Sequence, residues 1–128
     1  MRYRVDAAPR ARFAAQEDPE QAATVSLYFQ RRGDSWSGKR HFEFYRWYAP
    51  AQTVKQVARG EYEISGSLSD SNWTSVLGRP VATNPAAFEA VLAQTDRIGI
   101  AFGSSSARAH GVYSTLPARF VLLEFRII

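Results

Sequence analysis

From Thr24 to Gln30 the chain alternates strictly, with Val25, Leu27 and Phe29 on one side and Thr24, Ser26, Tyr28 and Gln30 on the other. That period of two predicts a strand covered on one face. A second strand is expected over HFEFYRWY, residues 41–48, which opens with Phe42 and Phe44 against His41 and Glu43 and then sets Arg46 in the next place on the Phe side. Between them lies RRGDSWSGK, residues 31–39, whose Gly, Asp and Ser residues accept tight backbone geometry. The two strands are therefore expected to pair as an antiparallel hairpin with Trp36 at its tip. Alternation returns in GEYEISGSL, with Tyr62, Ile64 and Leu68 against Glu61, Glu63 and Ser65, and again in DRIGIAFG, with Ile98, Ile100 and Phe102 aligned. In the closing ARFVLLEFRII, Val121, Leu123, Phe125 and Ile127 share a face, while the opposite face passes from Phe120 and Leu122 to Glu124 and Arg126. This predicts a strand between two layers that emerges toward solvent.

One segment has helical character. In NPAAFEAVLAQ, Asn84 stands as N-cap, Pro85 takes the first helical position, and Phe88, Val91 and Leu92 share a face. Residues 1–23, rich in Ala, Arg and Pro, offer only short strands near Tyr3–Val5 and Arg12–Ala15 and read as an irregular N-terminal arm. Many strands, turn signals at regular spacing and one short helix around residues 85–94 predict an all-β protein, an antiparallel β-sandwich or jelly roll. A length of 128 residues suits a single domain spanning 1–128.

Composition narrows the classes. Hydrophobic residues make up 45% of the chain, with eight Phe, six Tyr and three Trp, a stock of large rings that disordered chains lack. The net charge is +4, but the basic residues are scattered, and only Arg31, Arg32, Lys39 and Arg40 form a dense group. Solvated surface charge explains this better than a nucleic-acid interface. There is no cysteine, hence no disulfide framework and no thiolate metal site. No apolar run approaches a membrane span. The stretch MRYRVDAAPRARFAAQ sets charges where a signal peptide has its apolar core. The chain is expected to be cytoplasmic or to have lost a leader, which leaves the compartment open.

The second half has a recognisable order: Gly60-Glu61-Tyr62, then Trp73-x-x-Val76-x-Gly78, then a short helix with Phe88 and Leu92, then Ile98-Gly99-Ile100 and a closing apolar strand. This order resembles the galactose-binding-domain-like jelly rolls, a superfamily that includes carbohydrate-binding modules, the complex I intermediate-associated proteins and laminin-type domains. The resemblance covers residues 24–128, and the blocks GDSWSG, FYRWY, IGIAFG and HGVY are similar to those of small bacterial secreted or surface proteins. It implies a jelly-roll fold and a carbohydrate ligand. The terminal strand departs from the group in lacking the Leu-Asp-Asn-type ending of many carbohydrate-binding relatives. Structural calcium, common in that group, finds no D-x-D spacing here, since Asp70 stands alone in SLSDSNW.

Candidate chemistry concentrates in the aromatic group Trp36, Tyr45, Trp47 and Tyr48, because sugar C–H faces stack on rings while Arg, Glu and Gln bond to hydroxyls. Alternation sets Glu43, Tyr45 and Trp47 on one face and Arg46 and Tyr48 on the other. Packing accounts for such rings more readily than binding does, and Arg46 then snorkels or pairs with a buried carboxylate such as Glu61, Glu63 or Glu124. His110 is a possible ligand contact or base, although a lone His is more often structural. With only His41 and His110, no metal-binding spacing exists. Neither a G-x-S-x-G elbow nor a phosphate-binding glycine fingerprint is present.

The expected function is a non-catalytic module that binds a carbohydrate or cell-surface glycan through Trp36, Tyr45, Arg46, Trp47 and His110, without a cofactor. The competing class is a structural or protein–protein interaction domain, such as a homo-oligomer. A third class is a glycoside hydrolase using Glu43 with Glu61 or Glu63. Basic residues around Trp36 also raise single-stranded nucleic acid as a partner, and it is disfavoured.

Overall fold

In the computed structural model, which describes residues 1–128, the chain is built mainly from antiparallel β-sheet with one short α-helix. The strands are β1 (Arg2–Ala7), β2 (Phe13–Ala15), β3 (Thr24–Arg31), β4 (Arg46–Tyr48), β5 (Lys55–Gln56), β6 (Gly60–Glu63), β7 (Thr74–Ser75), β8 (Thr95–Gly103), β9 (Val112–Ser114) and β10 (Ala118–Glu124), and the helix α1 is Pro85–Ala93. They form a three-stranded sheet in the order β10-β1-β6, a pair β2-β9, and a five-stranded sheet in which β3 bonds to β4, β5 and β8 and β4 continues to β7. The chain divides into two compact units, residues 1–26, 54–65 and 101–128 in one and residues 27–53 and 66–100 in the other.

In the first unit β1 is the middle strand. Residues expected to belong to an irregular arm therefore sit at the centre of a sheet, with Tyr3 opposite Tyr62 on one side and Leu122 on the other. Alternation explains why: Tyr3 and Val5 are buried while Arg2 and Arg4 face solvent. The Tyr3 ring stacks on Phe120 at 4.9 Å and leans on Tyr62 at 5.6 Å. Its hydroxyl is buried without a hydrogen-bond partner, and burial, aided by Tyr62, pushes its pKa up to about 12. The last strand was expected to lie between two layers, covered on both faces at its start, but none of its residues is buried. β10 is an edge strand, paired only with β1, and Leu122 is 51% exposed. Loop 104–111 closes tightly over the end of β8, so that a side chain at Gly103 would collide with the Ala107 carbonyl.

The second unit holds an aromatic core. Phe29, Trp47, Ala49, Trp73, Phe88 and Val91 are all buried together, with Trp47 edge-on to Phe88 at 5.1 Å and Phe29 edge-on to Trp73 at 5.2 Å. Buried indoles need an acceptor for their N–H; Trp47 donates to the Phe44 carbonyl at 2.9 Å and Trp73 to the Ser67 carbonyl at 2.8 Å. Helix α1 starts at Pro85 as the sequence predicts and buries Phe88 and Val91. Asn84 does not cap it with its side chain, which instead donates to the Pro80 carbonyl and the Thr83 hydroxyl.

The strand expected over 41–48 is the main local correction. Residues Arg40–Phe44 form a 3-10 helix, and only Arg46–Tyr48 are extended. The Phe42 and Tyr45 amides donate to the carbonyls three residues back, Lys39 and Phe42, a bonding that brings side chains three apart over one another. His41, Phe42 and Tyr45 accordingly cluster, with Phe42 and Tyr45 at 5.1 Å. Aromatic contact at spacing three outweighs the alternation that read as a strand. The expected antiparallel pairing of this region with residues 24–30 is nonetheless present, through Tyr28 opposite Tyr48, Phe29 opposite Trp47 and Gln30 opposite Arg46.

Candidate ligand platform at Trp36

That register decides what each face of the β3–β4 pair presents, because directly opposed residues point to the same side of a sheet. Phe29 and Trp47 face the aromatic core. Tyr28, Gln30, Arg46 and Tyr48 face the other way, a polar and aromatic group that the loop of residues 32–39 folds over.

The loop is positioned by Asp34. The Asp34 amide donates to the Arg31 carbonyl at 3.3 Å, and its own Oδ1 accepts from the Trp36 amide at 3.2 Å, an Asx-type turn that replaces a backbone bond. Gly33 and Trp36 both have positive φ, 84° and 61°. Glycine takes that conformation freely, whereas for tryptophan it is disfavoured and persists because the surroundings hold it.

What holds it is Arg46. Its Nη1 donates to Asp34 Oδ2 at 2.5 Å, with the two side chains 4% and 0% exposed, and its Nε donates to the Tyr48 hydroxyl at 2.8 Å. The guanidinium carbon lies 4.4 Å from the centroid of the Trp36 ring and 5.7 Å from that of Tyr48, within the range of a cation–π contact. Trp36 also meets Tyr28 at 5.7 Å. The indole is thus held by a fixed cation over its ring and by a tilted tyrosine, yet the residue remains 50% exposed. Beneath it, the Gln30 amide reaches Asp34 only at 3.5 Å through its nitrogen, and its oxygen is buried without a partner. Gly99 on β8 leaves room for Tyr28, whose ring stands 3.0 Å from where a Cβ would be. Burial raises the Tyr28 pKa, with Tyr48 adding to it and Arg97 and Arg46 opposing it.

The residues singled out in the sequence fare differently. Trp36 and Arg46 meet directly. Arg46 is an internal anchor, and its carboxylate is Asp34, not Glu61, Glu63 or Glu124. Tyr45 lies at the end of the 3-10 helix, half-buried, with the Arg31 guanidinium 4.3 Å above its ring. Trp47 is fully buried on the core face and presents nothing to a ligand. His110 belongs to the first unit, where its Nδ1 stands 2.8 Å from Glu17. Glu43 pairs with Arg79 at 3.5 Å and Glu61 with Arg2 at 3.7 Å. Glu63 stands opposite Arg2 in the sheet. No three His, Cys, Asp or Glu side chains are grouped to hold a metal, and no helix is long and apolar enough to cross a membrane.

Sequence reasoning passed over Tyr28, Gln30 and Asp34. A signal for Asp34 was present, since it is the one acid in a link that contains Arg31, Arg32 and Lys39. Compared with protein-family models, with curated proteins and with solved structures, the chain matches none.

Proposed function

We propose that the protein is a non-catalytic binding module whose contact residue is Trp36 and whose ligand is a carbohydrate. The observation that carries this reading is an indole held in a left-handed backbone conformation against a buried Asp34–Arg46 pair while half of it faces solvent. A ring fixed by its contacts and half exposed to solvent is suited to stacking on the C–H face of a pyranose, and a preorganised contact loses little entropy on binding. Trp36 alone inherits the role first given to several rings, because Trp47 is buried and Tyr45 is covered by Arg31. The same reading takes the antiparallel sheets as those of the jelly roll that the resemblance implies, supported by the chain order β6, Trp73, α1, β8 and β10. Its test is a glycan array with the full chain and with Trp36→Ala, the fold being checked by circular dichroism. Binding to a saccharide that Trp36→Ala removes is the expected result. Equal binding by the two proteins, or none to any saccharide, refutes it.

A second reading, a protein–protein interaction domain, is favoured by the edge strand β10, where Leu122 is 51% exposed and unpaired backbone groups face outward. Sedimentation velocity over a hundredfold range of concentration decides it: a dimer abolished by Leu122→Lys supports this reading, and a monomer throughout removes the self-association form of it.

A further inference from the structure

Strand β10 pairs with β1 alone, so one of its sides is unpaired, and residues 125–128 run on beyond it outside any strand. Such a side is a template for a strand from another chain. Leu122, Ile127 and Ile128 are all exposed there. Relative to β1, β10 carries one extra residue, since Tyr3 stands opposite Leu122 and Arg2 opposite Glu124. Leu122 therefore shares the side of buried Tyr3, and Glu124 shares the outer side with exposed Arg2. Arg126 joins Glu124 on that outer side, with its Nε 3.1 Å from Glu124 Oε1 and both side chains exposed. The tract Leu122-Leu123-Glu124-Phe125-Arg126-Ile127-Ile128 is also self-complementary. From either end it runs aliphatic, aliphatic, charge, ring, charge, aliphatic, aliphatic, and its two charges have opposite signs. Two such tracts laid antiparallel about a two-fold axis at Phe125 set each Glu124 opposite Arg126 of the other copy, an attractive cross-strand pair. The leucines of each copy then lie beside the isoleucines of the other.

We infer that the unpaired side of β10, with residues 125–128, binds a second copy of this chain as a two-fold dimer, the two tracts pairing antiparallel about Phe125. The two Glu124–Arg126 bridges within chains become two between chains. A contact made by the same patch on both copies closes on itself and stops at two. The inference rests on the reading of β10 as a protein-contact edge and names the partner and the register for it. A strand from a different protein could use the same edge, but it would have no need of a tract that complements itself.

The experiment is sedimentation velocity of the full chain over a hundredfold range of concentration, the fold of each variant being checked by circular dichroism. A monomer–dimer equilibrium is expected in the parent. Glu124→Arg and Arg126→Glu should each weaken it about thirtyfold, the scale of two exposed pairs turned from attraction to repulsion. An equimolar mixture of these two variants should recover the parent's affinity, because each meets its opposite charge in the other. Oxidation reads the register, since the chain has no cysteine of its own. Phe125→Cys sets two thiols at opposed positions, about 5 Å apart between Cα atoms and within disulfide range, and should cross-link the dimer. Leu122→Cys leaves its thiols about five residues out of register, roughly 16 Å, and should not. Cross-linking by Leu122→Cys but not by Phe125→Cys overturns the register and leaves β10 a self-pairing edge. Charge variants that dimerise like the parent, or a mixture no tighter than either alone, overturn the exchange of bridges. Assemblies that grow past two with concentration overturn the two-fold contact. A parent that stays monomeric overturns the dimer itself and leaves the edge to a strand from a different protein.

Discussion

Asp34→Asn removes one charge from the buried pair while keeping an oxygen that can accept from the Trp36 amide. Two unit charges about 4 Å apart attract by about 4 kcal/mol at an effective dielectric of 20. Removing one partner also leaves the other buried without compensation, and the measured total for such changes is about 3–5 kcal/mol. In this variant Arg46 keeps the Tyr48 hydroxyl and the faces of Trp36 and Tyr48, none of which carries a full negative charge. A loss of about 3 kcal/mol of unfolding free energy is expected, against a total of roughly 5–15 kcal/mol for a domain. Urea unfolding followed by far-ultraviolet circular dichroism measures it without interference from a change in Trp36 emission. At a slope of about 1.5 kcal/mol per molar urea the midpoint falls by about 2 M. Combining Asp34→Asn with Arg46→Met removes both charges and should restore much of the loss. A single variant within about 1 kcal/mol of the parent, or a double variant no more stable than the single, would refute the claim that this pair anchors the loop.

Gly103→Ala drives a methyl group into the Ala107 carbonyl and should cost about 1–3 kcal/mol; an unchanged thermal midpoint would mean that loop 104–111 yields freely. Tyr3→Phe deletes a buried hydroxyl that has no partner, so stability should hold or rise by about 1 kcal/mol, and a marked loss would reveal a bond to that oxygen. The Tyr3 pKa is raised from 10.0 to about 12 in the folded chain, so its neutral form contributes stability that is complete below pH 10 and lost as pH rises toward 12. The alkaline decline in stability should accordingly be shallower in Tyr3→Phe, and parallel profiles would contradict this. Trp36 is 50% exposed against 0% for Trp47 and 3% for Trp73, so Trp36→Phe should remove nearly all iodide-quenchable emission; substantial quenching in that variant would place another indole at the surface.

Strands and helix were legible where one local rule acted alone. The alternation at 24–30, the Pro85 start and the Tyr62–Ile64 pattern all reflect residues whose neighbours in sequence share their environment. Reading failed where distant partners decide. Strand β3 was expected to be covered on one face, yet Thr24, Ser26 and Gln30 are buried as well as Val25 and Phe29. Three strands bond to β3, and Thr24 satisfies its hydroxyl on the Gly103 carbonyl, 79 residues away. The platform was legible only in part for the same reason. Trp36 stood out at a loop tip and Arg46 as a charge among rings, but alternation alone sets Tyr45 beside Trp47 and does not register the 3-10 turn that removes Tyr45 from the strand. The identity of the Arg46 partner depends on how a loop closes, which hydrophobic periodicity does not encode.

The position of β1 in the middle of its sheet has a consequence for the order of folding. Its two neighbours are residues 60–63 and 118–124, so Arg2 must meet Glu124 across nearly the whole chain. β1 therefore lacks a complete set of hydrogen-bonding neighbours until a segment far along the chain joins it, and such long-range closure is slow. Until that closure the segment carrying Tyr3 and Val5, both buried in the finished fold, keeps an open strand edge, which makes it a stretch where a chaperone would act with effect and where delayed folding would favour aggregation.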